Sequence, residues 1–375
     1  MNENLKIDKS AWRPFSLSDV VFKIEENDRE NAQNTYDRFL KVEHMDAESL
    51  HIKRWSSQEA GDEINPTFYK IFRKGQMLFP TRNPHLRRTA LAHFDGICGE
   101  KTLTLSPNEE LICPEFLPFL FHSESFYSHT ASTIIGSTNP HCRWRDVASY
   151  EFLLPPKSQQ QDLADLFWAI DEVVELERVA LNKIITFRES AFQDLLNSAK
   201  GQMKPLSKLL IQKKKKSSSP HVHDRYIGLE HVNSGEFTCD RYGLSESAQA
   251  QCNVIEIGDL CYSKLRPYLD KAFIAEFDAV STTELLIYDA KEVSKEYVLY
   301  HLHSKKFIDY VSGKGFGTKM PRVSHKIIGE YEIKVLDDEI GFLNKMKHVL
   351  ESEKQLNKKI SASISLQKSL VNEVF

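Results

Sequence analysis

Four short stretches carry side chains suited to gripping a polyanion. Thr81-Arg82-Asn83-Pro84-His85-Leu86-Arg87-Arg88 sets three arginines in a turn between two β-rich runs. Ser137-Thr138-Asn139-Pro140-His141-Cys142-Arg143-Trp144-Arg145 adds two more beside hydroxyl and amide groups. Later in the chain, Ser263-Lys264-Leu265-Arg266-Pro267-Tyr268 and Gly317-Thr318-Lys319-Met320-Pro321-Arg322-Val323-Ser324-His325 repeat both features. Arg, Lys, Asn, Ser and His on rigid loops are the donors needed for phosphates and base edges. Between Lys200 and Arg225 there are eight basic residues and one acid, Lys213 to Lys216 among them, which reads as a mobile arm on phosphates. The candidate nucleic-acid contacts are therefore Arg82, Asn83, Arg87, Arg88, Ser137, Asn139 and Arg143 in the first half of the chain. In the second half they are Lys213, Lys214, Lys264, Arg266, Tyr268, Lys319, Arg322 and Ser324. These residue types fit base and phosphate contacts alike.

Catalytic patterns are weaker. An amine methyltransferase needs a polar-Pro-Pro-aromatic loop with a Gly-rich turn, and Asn65-Pro66-Thr67-Phe68 breaks the double proline. A Mg-dependent nuclease needs carboxylates that share the ion near a lysine; Asp309, Glu332 and Lys334 fit its loosest form. Gly313-Lys314-Gly315-Phe316-Gly317 lacks the order of a phosphate-binding loop. No catalytic residue and no metal ligand is expected.

The loops lie at equivalent places in an internal repeat. Phe39 to Met45 parallels Tyr226 to Val232 at an offset of 187, and Pro84 parallels Pro267 at 183. His122-Ser123 matches His303-Ser304 at 181, and Gly136-Ser137-Thr138 falls on Gly317-Thr318-Lys319. Each unit reads as short strands (Gln76 to Phe79, Thr89 to His93; Leu260 to Ser263, Lys271 to Ala275, Leu285 to Tyr288), then one helix, then a return strand. The helix is expected near Pro114 to Phe126 in the first unit and Ser294 to Val311 in the second.

Two long amphipathic runs must position these units. From Ser158 to Ala199, apolar residues including Leu163, Leu166, Phe167, Ile170, Val173, Val174, Ile185 and Phe192 recur at helical spacing in one stripe. Such a helix is about 60 Å long and needs a partner. The closing run from Asp338 to Phe375 has matching length and spacing, so an antiparallel pair is expected. The first run carries eight acids and three bases, the second five acids and six bases. An acidic helix should not lie along phosphates.

With 375 residues the chain has room for two or three domains, and its net charge of −4 confines any nucleic-acid surface to local patches. No apolar run is long enough to span a bilayer, and Met1-Asn2-Glu3-Asn4 is no signal peptide, so a cytoplasmic location and no membrane partner are expected. Six scattered cysteines read as reduced packing residues.

The strings Gly258 to Tyr268, Gly317 to Ser324, Gly136 to Pro140 and the Leu-Pro-Pro-x-x-Gln-Gln junction from Leu154 to Gln160 resemble the specificity subunits of type I restriction-modification enzymes. The resemblance implies an α+β chain: two similar mixed α/β target-recognition domains joined by long helices that form an antiparallel coiled-coil spacer. The first domain would cover residues 1–157, the central spacer 158–200, the second domain 201–337 and the closing spacer 338–375. Each domain would read half of an asymmetric, bipartite site in double-stranded DNA. Two methyltransferase subunits and restriction/translocase subunits would be partners, holding the S-adenosylmethionine, ATP and Mg²⁺ that this chain lacks sites for. One departure is that Leu336-Asp337-Asp338 replaces the Pro-Pro junction at the second helix. The rival readings are a stand-alone Mg-dependent nuclease and a helical scaffold that binds only proteins.

Overall fold

The computed structural model describes residues 7–317 and 319–375, so Thr318 and the Met1 to Asn4 start lie outside the described residues. The chain folds into two compact units, residues 1–178 with 358–375, and residues 179–357.

In the first unit, an antiparallel sheet orders Val21–Ile24, Thr102–Pro107, Met77–Pro80 and Ala90–Leu91. A second sheet orders Ser56–Ser57, Arg38–Leu40, Gly96–Cys98 and Lys70–Phe72, with its middle pair parallel. A short antiparallel ribbon, Arg13–Ser16 with Glu151–Leu154, leads the chain into its long helix. The second unit repeats the plan. Leu210–Lys213, Leu285–Ala290, Leu260–Ser263 and Ala272–Ile274 form one sheet, five short strands from Lys216–Ser217 to Gly243–Leu244 form the other, and Gly201–Pro205 pairs with Glu332–Leu336. Gly75 and Gly258 open the matching strands at φ +88° and +82°, a conformation a side chain would oppose, which is why both turns use glycine.

The single helix expected in each unit is two. Leu117–Leu120 and Glu124–Ser132 are separated at Ser123, and Lys295–Leu302 and Lys305–Lys314 at Ser304. The repeated His-Ser pair explains the break. Ser123 Oγ accepts from the Phe126 amide and Ser304 Oγ from the Phe307 amide, so each serine starts a new helix. Ser304 is also buried and donates to the His301 carbonyl at 2.6 Å. Ser304→Ala should therefore lower stability by about 1 kcal/mol in urea unfolding; an unchanged midpoint would remove the capping argument.

The long helices run Lys157–Ser198 and Glu339–Val374. Within the first unit, Gln367 Nε2 donates to the Phe167 carbonyl while Lys359 pairs with Glu177 at 3.2 Å, so the two segments are antiparallel. Within the second, Arg188 pairs with Glu353, and Phe192 meets Phe342 at 5.8 Å, again antiparallel. Apolar positions on the central helix do not form one buried stripe, however. Ala164, Phe167, Val174 and Phe192 are buried, while Leu166, Val173 and Ile185 are 37–44% exposed. A 3.6-residue period puts neighbours such as 166 and 167 about 100° apart, so adjacent apolar residues occupy two faces.

Both helix starts have a physical cause. After Pro155-Pro156, buried Gln160 donates to the carbonyls of Leu111 (3.0 Å) and Pro155 (2.8 Å) and accepts from the Cys113 amide (2.7 Å), while Gln159 accepts from the Trp12 indole. At the second helix Asp338 does the starting, accepting from the Gly341 amide at 2.9 Å. The missing Pro-Pro is thus replaced by an aspartate cap.

Phe79, Phe116, Phe119, Phe121, Phe126 and Phe167 fill the main core of the first unit. Tyr262, Tyr288, Tyr297, Phe307, Phe192 and Phe342 fill that of the second. The six cysteines are unpaired, and burial pushes the Cys98 thiol up to about 12 and the Cys239 thiol up to about 11. Among the described residues, no helix is long and apolar enough to cross a membrane.

Candidate nucleic-acid interface

In each unit the fold zips the two basic loops together. Arg82 bridges His141 through the Asn83 amide on the Pro140 carbonyl (2.9 Å) and the Cys142 amide on the Thr81 carbonyl (3.0 Å). Leu265 bridges Arg322 in the same way, through the Arg266 amide on Pro321 (2.7 Å) and the Val323 amide on Lys264 (2.9 Å). Each second loop is closed on itself by a matching bridge, Ile135 to His141 and Phe316 to Arg322.

The first loops share a rare backbone. A one-turn 3₁₀ helix, Pro84–Leu86 or Pro267–Leu269, is bracketed by left-handed residues, Asn83 (φ 51°) and Arg87 (φ 52°), or Arg266 (φ 49°) and Asp270 (φ 48°). Four non-glycine residues at positive φ are strained, and such strain persists only where surrounding structure holds it. The anchors differ. Arg87 is held by Glu124 and by Glu48 (2.9 Å), and these carboxylates raise its already high pKa. Asp270 is held instead by buried His303 Nδ1 at 2.8 Å.

These contacts sort the candidate residues. Arg82, Asn83, Ser137 and Asn139 are exposed on the zipped loops of the first unit, as are Arg266, Tyr268 and Lys319 on those of the second. Arg143 is exposed and pairs with Asp146 at 2.9 Å. Arg88 donates to the Val42 carbonyl at 3.2 Å, a tie that Lys271 repeats on Leu229 in the second unit. Lys264 and Arg322 face Glu284. Ser324 Oγ accepts from the Ile327 amide and caps His325–Glu330.

The basic stretch is not a mobile arm. Residues 201–217 form three strands and a helical turn, because Ile211 and its neighbours complete a sheet edge against Leu285–Ala290. Lys213 sits between Glu256 (2.6 Å) and Asp259 (2.9 Å); burial lowers its pKa, the two carboxylates outweigh this, and the net shift is upward. Lys214 is exposed; His325, beside the second loop, has its pKa lowered by burial and, to a lesser degree, by the Lys214 charge.

Two of the three nuclease candidates serve other ends. Lys334 donates to the Leu196 (3.0 Å) and Ala199 carbonyls, where a cation suits the end of the central helix. Asp309 pairs with Lys305 at 3.0 Å. Four residues at the interface were not singled out from the sequence: Phe316 and Met320, 57% and 46% exposed, and the pair Lys101 and Glu284, which hold equivalent places behind the loops. The 183-residue offset that aligns Pro84 with Pro267 also aligns Lys101 with Glu284.

The chain is thus a duplicated mixed unit, with paired loops at the same place in each copy, together with two long helices. No family model matches the chain. Over 173 residues it is 21% identical to the type I restriction enzyme EcoDI specificity subunit of Escherichia coli, a match spanning 44% of this chain and 39% of that one. The match therefore spans well under half the length of that relative. A chain from a structure on the complex assembly and conformational transition of the type I restriction-modification system aligns over 97% of both chains, with TM-score 0.51 and 18% identity. The type I restriction-modification S subunit from M. genitalium aligns over 100% of this chain and 98% of its own, with TM-score 0.51 and 14% identity. The chain has the fold of type I specificity subunits, as the resemblance in its sequence led us to expect.

Proposed function

We propose that the chain is the DNA-reading subunit of a type I restriction-modification complex. The observation that carries this is the same zipped, donor-bearing loop pair at the same place in two units of one chain. Arg82, Asn83, Ser137 and Asn139 would read or grip one half-site, and Arg266, Tyr268, Lys319 and Arg322 the other, with Arg143 and Lys214 on flanking phosphates. Because the loops differ in sequence, the site is asymmetric. The half-sites would lie about one duplex turn, roughly 34 Å, apart, with the long helices fixing the gap.

Catalysis belongs to partners in this reading. Two methyltransferase subunits and restriction/translocase subunits would bring S-adenosylmethionine, Mg²⁺ and ATP. Leu166, Val173 and Leu176, exposed on the central helix in the first unit, offer apolar surface for partner helices.

The test is to co-express the chain with a cognate methyltransferase and map methylated bases across the host genome with and without it. A split, asymmetric motif that appears only with the chain is the expected result, and deletion of one heptad from the central helix should change its gap while keeping both halves. An unchanged methylation map would overturn the reading, as would plasmid cleavage by the purified chain with Mg²⁺ alone.

A further inference from the structure

At the base of the second unit's loop pair stands one acid. The Lys264 amide donates to the Glu284 carbonyl at 3.0 Å, which sets the two backbones side by side. The Glu284 carboxylate accepts from Arg322 Nε (3.3 and 3.2 Å) and Nη2 (3.1 Å), and Lys264 Nζ lies 4.0 Å away. All three side chains are between 23% and 35% exposed, so the cluster faces solvent without being loose. Arg322 Nη1 reaches the Met320 carbonyl at 3.4 Å, so the guanidinium is fixed from two sides.

The first unit has the opposite charge there. The Thr81 amide donates to the Lys101 carbonyl at 2.8 Å, the same backbone contact, so Lys101 takes the place of Glu284, Thr81 that of Lys264 and His141 that of Arg322. One head therefore carries an exposed lysine behind its loops, and the other a carboxylate that holds two cations.

We propose that Glu284 sets the specificity of the second head, as a positioning residue acting through Arg322 and Lys264; this rests on the DNA-reading function proposed above. Its carboxylate uses the Nε edge of Arg322, so the guanidinium must present its remaining Nη edge in one orientation, the preorganisation that a bidentate contact to a base requires. The same charge repels phosphates and holds two cations back from them. It thereby weakens binding that relies on the backbone alone and leaves the base contact to decide.

The experiment uses the full chain, wild type and Glu284→Gln, which keeps the shape and removes the charge. Binding of a 30-base-pair duplex of arbitrary sequence is followed across a salt series, and a pool of randomised duplexes is selected and sequenced. For Glu284→Gln we expect tighter binding to the arbitrary duplex and a salt slope steeper by about 1 to 2, one for each cation released. Base preference should fall roughly tenfold at a position in one half-site, with the other half unchanged. Unaltered slope and preference in a folded Glu284→Gln chain would overturn the role of Glu284 while leaving the DNA-reading function intact. A wild-type chain showing neither salt-dependent binding nor enrichment would overturn that function itself. Should Glu284→Gln fail to fold, Lys101→Glu in the first unit decides: the added acid should weaken arbitrary-duplex binding and flatten the slope, and an unchanged slope would overturn the proposal.

Discussion

Arg188→Met should destabilise the second unit by about 3–5 kcal/mol in urea unfolding at pH 7, among the largest losses available from one side chain. Arg188 and Glu353 are 9% and 6% exposed, joined by two contacts, the longer of them 2.7 Å. Burial already pushes the Glu353 carboxyl above its ordinary value despite the arginine beside it. Without Arg188 that charge would stand uncompensated between two helices, and the group would take up a proton instead. The loss relative to wild type should therefore shrink at pH 5, where protonation costs less. Arg188→Met with Glu353→Leu should recover most of the stability, since an apolar pair of similar volume does not require desolvation of two ions. A loss under about 1 kcal/mol for the single variant would show that the pair is solvated in solution. Phe237, whose ring lies 5.1 Å from the Arg188 guanidinium, would lose its cation in either variant, so the double variant isolates the ionic part.

Acid should weaken the same unit through a histidine. His301 is 4% exposed among Phe192 and Tyr297, its Nε2 has no hydrogen-bond partner, and burial holds its pKa down to about 3. A histidine with a depressed folded pKa takes up its proton in the unfolded chain first. Its full contribution is therefore present above about pH 6.5 and is lost as pH falls toward 3. Between pH 6.5 and 5 the loss is about 2 kcal/mol for one such group, before carboxylates titrate. His301→Leu should remove that slope and raise stability at neutral pH by relieving the unpaired nitrogen. Equal slopes for wild type and His301→Leu would show that His301 is hydrated. In the first unit, His122 shifts the same way, to about 4 by burial, against its bond to the Thr89 carbonyl. His51 opposes it: its contact with Asp171 at 2.6 Å raises its pKa, so its contribution is complete below 6.5 and fades as pH rises through the raised value.

Much of this architecture was legible in the chain because it is written in local terms. Helical spacing of apolar residues names the two long helices to within a residue or two at each end, since backbone geometry alone fixes that period. The repeat was legible because equivalent turns demand the same residues: Gly75 and Gly258 at positive φ, Ser123 and Ser304 as caps, Pro84 and Pro267 in the strained turns. The sequence by itself thus determined the number of units, their order and the loops that bear donors.

Side-chain fate was not legible, because it depends on residues far along the chain. Lys213 looks like its neighbour Lys214 until a strand brings Glu256 and Asp259, more than forty positions later, onto it. Arg87 and Arg82 sit in one loop, yet Glu124 and Glu48 take the first and leave the second exposed. Glu284 has no motif at all; only the pairing of three separate segments places its carboxylate between Lys264 and Arg322. Likewise, helical periodicity marks Leu166 and Phe167 as equally apolar, and only packing against Phe116 and Phe119 buries the second while leaving the first in water. Spacing along a chain sets which residues share a face; which charge meets which is set by tertiary contact, since Coulomb and hydrogen-bond energies act over a few ångströms of space and not over sequence.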